Sequence, residues 1–330
     1  MMKKPLNLIC PLCRSSLTQS GKGLECTPCA QIYPIINGIP SLIKTKSDFY
    51  SNYYKTPLGA LWAKGHVGFK NPLLNILLGA RTAISIVGKR QRFFKKIIRK
   101  KQDAWILDLG CGGGHDLFTR YGNVAGVDLE LAPLKSAKNI YQVAVHADIS
   151  CLPFEDETFD YVVSSDVIGH IPIDQKKKLL SEIRRVLKKG GITAHAIETH
   201  SCNFLYRFAQ DHPDLFKKSF IEDIGGHFGL EMPQAVLNRF KEHGFNLVKK
   251  EKIWGPVWST EEYVYRFDNG YTQKSKLIKV LVITCKLLNK NILVHAIANV
   301  FLGILNYFVE SLTPFDHAQG ILLAYRKSNT

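Results

Sequence analysis

The sequence predicts an α/β chain organised on a parallel sheet, with a small metal-bound module ahead of the sheet and a helical insertion before its last strand. Three features carry that prediction. Four cysteines gather near the start in two Cys-x-x-Cys pairs. A short apolar strand in "AWILDLGCGGGHD" (104–116) runs into a glycine-rich turn. About 65 residues separate the strand-like segment 245–254 from the strand-like segment 320–327.

A chain of 330 residues with 45% hydrophobic content can bury one large domain plus something smaller. Lys and Arg number 44 against 28 Asp and Glu, a net charge of +16. That charge suits RNA, an anionic membrane face, or a basic protein with neither partner, so it decides nothing alone. The opening "MMKKPLNLIC" holds too few apolar residues for a signal-peptide core of about 7–15 residues, and the expected location is cytoplasmic. Of eight cysteines, Cys10, Cys13, Cys26 and Cys29 cluster, while Cys111, Cys151, Cys202 and Cys285 are scattered. This is the pattern of a metal site in a reducing compartment, not of a disulfide framework.

Each Cys-x-x-Cys knuckle directs two thiolates at one ion, and two knuckles complete a tetrahedron. Four thiolates close the shell, so zinc here is expected to be structural, replacing the core that some forty residues cannot build. The apolar "QIYPIINGIPSLI" (31–43) is expected to lie as a hairpin over the knuckles. Residues 8–43 resemble the small zinc-ribbon proteins that partner tRNA and rRNA methyltransferases, and the same ribbon fused to the front of bacterial methyltransferases. The resemblance implies a docking role toward a protein partner.

The glycine turn discriminates between two nucleotide folds. A dinucleotide site wants Gly-x-Gly-x-x-Gly, but His115 stands at the sixth position from Gly110, and Gly114 comes one residue early. Gly110, Gly112 and Gly114 after Asp108 instead resemble the loop of class I S-adenosylmethionine-dependent methyltransferases, close to the type 11 group. The resemblance implies a Rossmann-like seven-stranded methyltransferase sheet. Further landmarks follow in order. "VAGVDLE" (124–130) ends a second strand at Asp128, which the resemblance places on the ribose diol, with Leu129 on the adenine. "VAVHADISCLPF" (143–154) ends a third at Asp148, matched to the adenine amino group, with Ile149 beside it. "FDYVVSSDVIGHI" (159–171) is a fourth strand, whose Ser165 enters the loop under the methyl donor. A helix (174–188), a turn "LKKGG" and a fifth strand (192–200) follow. Asp108 is expected to bond the loop backbone, with or without the donor's amino group, and Cys111 to be a packing residue.

Methyl transfer from a sulfonium is an in-line displacement that needs positioning, and a base only when the acceptor holds its proton. Candidates at the strand ends and following loops are Asp166, His170, Glu198, His200 and His227. Each has a structural alternative. His170 commonly bonds its own loop in the resembling family, His200 reads as a solvated strand-end residue, and His227 resembles a lid residue. The catalytic group stays open.

A helix (233–245), a sixth strand (245–254) and the last strand (320–327) complete the expected sheet, with the insertion at 256–319. Its second half holds nineteen uncharged residues between Lys290 and Glu310, close to membrane-spanning length. However, Lys276, Lys279, Lys286 and Lys290 recur at helical spacing, as do His295, Asn299, Asn306 and Glu310, so both helices read as amphipathic. Peripheral membrane contact through 276–310 stands beside a packed hairpin, a lid or a dimer contact. Trp254, Trp258, Tyr263, Tyr265 and Phe267 suit an apolar substrate or a packed junction. The basic run "GKRQRFFKKIIRKKQ" (88–102) reads as a solvated first helix.

The expected organisation is a zinc ribbon (1–44), a helical linker and first helix (45–102), the methyltransferase core (103–255), the insertion (256–319) and the last strand (320–330). The first functional reading is methyl transfer from S-adenosylmethionine to a small-molecule, glycan or lipid-linked acceptor. The second is a rRNA or tRNA base methyltransferase, against which no "Asn-Pro-Pro-Tyr" motif stands at strand four. The third is a non-catalytic scaffold that binds a protein partner.

Overall fold

The computed structural model describes residues 6–43, 86–101, 103–222 and 226–328. The expected linker over 45–85 lies outside them. The N-terminal module is an antiparallel sheet of β1 (Thr18–Ser20), β2 (Gly23–Cys26) and β3 (Gln31–Tyr33). A hairpin of β4 (Ile35–Ile36) and β5 (Ile39–Pro40) follows. Its two-residue turn is Asn37-Gly38, both at positive φ, which is the chemistry a tight hairpin demands.

Helix α1 (Ile86–Ile97) precedes the main sheet. The chain then runs through β6 (Trp105–Leu109), α2 (Asp116–Thr119), β7 (Asn123–Asp128), α3 (Leu131–Ala137), β8 (Val143–His146), β9 (Phe159–Ser165), α4 (Lys176–Val186) and β10 (Leu187–Glu198). Helices α5 (Phe204–Gln210), α6 (Pro213–Phe216) and α7 (Pro233–Glu242) lead to β11 (Phe245–Ile253). The insertion is α8 (Thr260–Phe267), α9 (Tyr271–Lys274), α10 (Lys276–Leu288) and α11 (Ile292–Leu312), and β12 (Gly320–Lys327) ends the sheet.

The seven strands lie in the order β11-β12-β10-β9-β6-β7-β8, with β12 antiparallel to both neighbours. Neighbours β6 and β9 lie where the winding reverses, the crevice at which such sheets bind ligands. Alternate residues face opposite cores: Leu107, Leu109 and Val162 pack with Leu179, Ile183 and Phe240, whereas Ile106, Val124 and Val163 pack with Phe93, Phe118 and Leu134. The expected "LKKGG" turn is absorbed into β10, which shifts register between Leu187 and Ile192.

The N-terminal module is continuous with one of these cores, since Cys10, Cys26, Tyr33 and Leu42 belong to the same buried cluster as Val145 and Phe154. Of the stretch 31–43, Tyr33 lies against the knuckles with its hydroxyl 3.2 Å from Cys10 Sγ, while the segment after β5 turns to the main sheet. It caps the sheet edge: Ser41 bridges to His146, and the Leu42 amide donates to the His146 carbonyl at 2.7 Å. An edge strand left open would be a template for another chain.

The insertion departs most from its sequence reading. The polar stripe of α11 faces the protein: Asn299 accepts from the Thr260 amide at 2.9 Å, Asn306 accepts from the Val257 amide at 3.2 Å, and Glu310 pairs with Lys89. Ile292, Leu293, Ile297, Phe301, Ile304 and Phe308 point outward, and only 11% of the apolar window is buried. On α10, Ile278, Val282 and Cys285 are buried while Leu277, Val280, Ile283 and Leu287 are exposed. Trp258, Tyr263 and Phe267 form a packed junction with Tyr206, Phe220 and Tyr271.

Candidate active site

Three left-handed glycines, Gly110, Gly112 and Gly114, carry the chain round the turn after β6 at φ values of 59°, 52° and 84°. A Cβ on Gly110 would stand 2.6 Å from Val167, and one on Gly114 would stand 3.1 Å from the Ala137 backbone, so a side chain at either of these two positions would be crowded. Asp128, at the end of β7, accepts from the Gly112 amide at 2.8 Å and the Glu130 amide at 2.9 Å. Tyr141 ties the loop down from outside the motif. Its hydroxyl donates to Asp108 at 2.7 Å and accepts from the His115 amide at 2.7 Å. Burial pushes Asp108 up to about 7 and Asp128 up to about 6.

Neither carboxyl forms an ion pair among the described residues. Two buried acids without a cation suit a ligand that brings positive charge, and S-adenosylmethionine carries a sulfonium and an ammonium group. Asp148 is exposed beyond β8, where its carboxylate accepts from the Ser150 amide at 2.7 Å, and Ile149 is buried beside it. Leu129 is half-buried, and its carbonyl lies 3.0 Å from His146 Nε2. His146 Nδ1 in turn lies 2.9 Å from the Ser41 hydroxyl, so the N-terminal module reaches the donor turn through two side chains.

On the other side of the crevice, Asp166 follows β9 at φ 59° and pairs through both carboxylate oxygens with Arg90 from α1. Ser165 lies 3.4 Å from the same guanidinium, which also covers the Trp254 ring at 4.4 Å from its centroid. Arg90 stood in the run read as solvated; in the fold it is nine-tenths buried, because Phe93 and Phe94 turn that part of α1 inward. Burial is the largest influence on Asp166 and raises its carboxyl, Arg90 opposes the rise, and Glu198 adds to it. Glu198 ends β10 with His227 Nε2 at 3.5 Å, and the His170 and His227 rings stack 4.3 Å apart. Burial holds His227 down at about 4, so it is neutral near pH 7.

Asp166, His170, Glu198 and His227 therefore converge. His200 does not: it lies 3.1 Å from the Tyr206 hydroxyl and stacks on Phe216. Sequence reasoning missed Arg90, Tyr141 and the Trp254 contact. None belongs to a spaced motif, and Arg90 is one of eight basic residues in its run.

The N-terminal thiolates form a separate centre. All four sulfurs lie within 4.8 Å of one another, with Cys13 to Cys26 at 3.4 Å and Cys10 to Cys29 at 4.0 Å. A tetrahedral ion with metal–sulfur bonds of about 2.3 Å needs sulfurs about 3.8 Å apart, so the residues fit zinc.

Residues 107–194 match the family model of a methyltransferase domain. A 2-methyl-6-phytyl-1,4-hydroquinone methyltransferase of Oryza sativa is 30% identical over 165 residues, 46% of this chain and 44% of that protein. A phthiotriol/phenolphthiotriol dimycocerosates methyltransferase of Mycobacterium leprae is 30% identical over 135 residues, 37% of this chain and 43% of that protein. The chain spans about two fifths of the length of the curated relatives it matches. Among solved structures, a methyltransferase of Bacillus halodurans aligns with a TM-score of 0.49 at 21% identity, covering 73% of this chain and all of that one. The matched segment 107–194 carries the glycine turn and the strand-end Asp128 on a seven-stranded sheet, and in this it is similar to class I S-adenosylmethionine-dependent methyltransferase domains.

Proposed function

We propose that this chain transfers the methyl group of S-adenosylmethionine to an acceptor drawn from a lipid surface. The observation that carries this reading is the reversed amphipathicity of α11, whose asparagines and glutamate hold the body of the protein while its apolar side faces out. A soluble surface helix does the opposite. The outward residues of α10 and α11 form one apolar face, with the exposed Lys274, Lys276, Lys279 and Lys290 beside or between them, which suits an anionic bilayer interface. Both helices return to the sheet, so the hairpin lies in the interface instead of crossing it. The lipid-type substrates in the names of the rice and mycobacterial relatives support the same acceptor class.

The donor supplies an electrophilic methyl group. Asp128 would hold its ribose, Asp148 its adenine amino group, and Leu129 and Ile149 the ring faces, with the glycine turn admitting the amino-acid end. Arg90 and Asp166 fix the floor between donor and acceptor, and His170, Glu198 and His227 line the acceptor side. The four cysteines would hold zinc with no open position, which makes the ribbon structural.

Flotation with phosphatidylcholine vesicles containing phosphatidylglycerol tests the reading. The wild type is expected to float, and a Phe301→Glu, Ile304→Glu variant to stay at the bottom while binding the donor normally. A wild type that does not float, or a variant that floats equally, would sink it. The RNA reading keeps the exposed Arg92, Lys95, Lys96, Arg99, Lys100 and Lys101, whereas Arg90 of the same run is buried against Asp166.

A further inference from the structure

The turn after β9 (Ile168–His170), the end of β10 and the segment before α7 bring together three groups that the donor site does not use: His170, Glu198 and His227. One ligand atom of each lies within 4.8 Å of the other two. His170 Nδ1 lies 3.2 Å from the Gly226 carbonyl, which places a ring proton on that nitrogen and fixes the orientation of the ring. This is how a backbone carbonyl orients an imidazole that ligates metal.

Two buried atoms of the cluster, Nδ1 of the nine-tenths buried His227 and Oε2 of Glu198, have no hydrogen-bond partner among the described residues. The closest approach of the two side chains, 3.5 Å, is too long for a strong hydrogen bond. A buried imidazole nitrogen and a buried carboxylate oxygen, beside a second imidazole, suit a bound cation.

We propose that His170, Glu198 and His227 form a binding site for a divalent transition-metal ion, with two imidazole ligands and one carboxylate. Nitrogen ligands select zinc and its divalent neighbours over magnesium and calcium, which take oxygen shells. Three protein ligands leave a coordination position for water or an acceptor oxygen, as in catalytic rather than structural zinc sites. Asp166, held by Arg90, interacts with Glu198 and would support that ligand from outside the ion's own shell. The use of the ion in holding an acceptor rests on the proposed function; its binding does not.

The test is therefore made without any acceptor. The full chain is equilibrated with excess Co²⁺, freed of unbound ion and analysed for bound metal. Wild type is expected to exceed both Glu198→Gln and His170→Ala by one ion per chain. All three are expected to keep the same intense thiolate-to-cobalt absorption of the cysteine centre and the same donor affinity, which shows that the variants are folded. The isosteric Glu198→Gln guards against collapse of the buried loop. Equal metal content in wild type and both variants would overturn the proposal, as would a second ion that depends on the cysteines alone.

Discussion

The donor half of the crevice draws Asp108, the glycine turn and Asp128 from one strand–turn–helix–strand unit, whereas the acceptor half gathers Arg90, Asp166, His170, Glu198, His227 and Trp254 from across the chain. The first is a demand on local backbone. Left-handed φ at Gly110, Gly112 and Gly114 and contact with Val167 and Ala137 leave the sequence little choice. The second is a product of topology: β9 and β10 lie side by side, so their carboxyl ends meet, and α1 and β11 happen to close over them. A site of the first kind carries a spaced motif, and one of the second kind does not.

Breaking the acceptor half should cost the most stability. Arg90→Leu leaves Asp166 buried without its bidentate partner, and loss of one member of a buried pair costs about 3–5 kcal/mol. Denaturant unfolding is expected to show that loss, with Asp148→Ala unchanged because Asp148 is exposed. A result near zero for Arg90→Leu would mean that the pair does not organise the site.

In the donor half the loss should fall on affinity. Asp128→Ala removes the acceptor of the Gly112 and Glu130 amides together with the carboxylate proposed to hold the ribose. A hydrogen bond to a charged group is worth roughly 1.5–3 kcal/mol, so calorimetry should read a donor affinity lower by about 10- to 150-fold.

The two halves should also differ in pH response. Asp108 and Asp128 are raised in the folded protein, so it retains protons that the unfolded chain sheds from about pH 4 upward. Stability without donor is therefore expected to fall as pH rises from about 4 through 7. A cationic donor favours the ionised carboxyls, so its affinity should climb about tenfold between pH 6 and pH 8, with proton release on binding. Flat affinity across that range would contradict the assignment of these acids to the donor.

The smallest expected effect runs through the ribbon. Ser41→Ala loosens His146 and with it the Leu129 carbonyl, and the loss of one hydrogen bond of about 1 kcal/mol should weaken donor binding about fivefold. Chelation of the zinc proposed for Cys10, Cys13, Cys26 and Cys29 should weaken it further, by releasing Leu42 from the edge of β8. Donor affinity indifferent to both would confine the ribbon to a separate role.

The sheet was legible because its strands end in acids and glycines at ordered positions, and β12 falls where its apolar run stands. The four cysteines were legible as a set, but not the use of Ser41 and Leu42 to close the sheet edge, since nothing in "GIPSLI" names a partner 105 residues away. The insertion was legible as two amphipathic helices but not in orientation, which periodicity leaves open. Periodicity gives a polar stripe at Asn299, Asn306 and Glu310, and only the fold shows that Thr260, Val257 and Lys89 wait on its inner side. Arg90 was hidden by its neighbours, since eight basic residues on one short stretch give no sign that one of them is buried.

The most direct test of the central claim is transfer of a labelled methyl group from S-adenosylmethionine by the full chain, offered in parallel a membrane-lipid extract and bulk RNA. The account predicts label in the lipid fraction, reduced in the Phe301→Glu, Ile304→Glu variant and absent in Asp128→Ala. Label in RNA with none in lipid would contradict it.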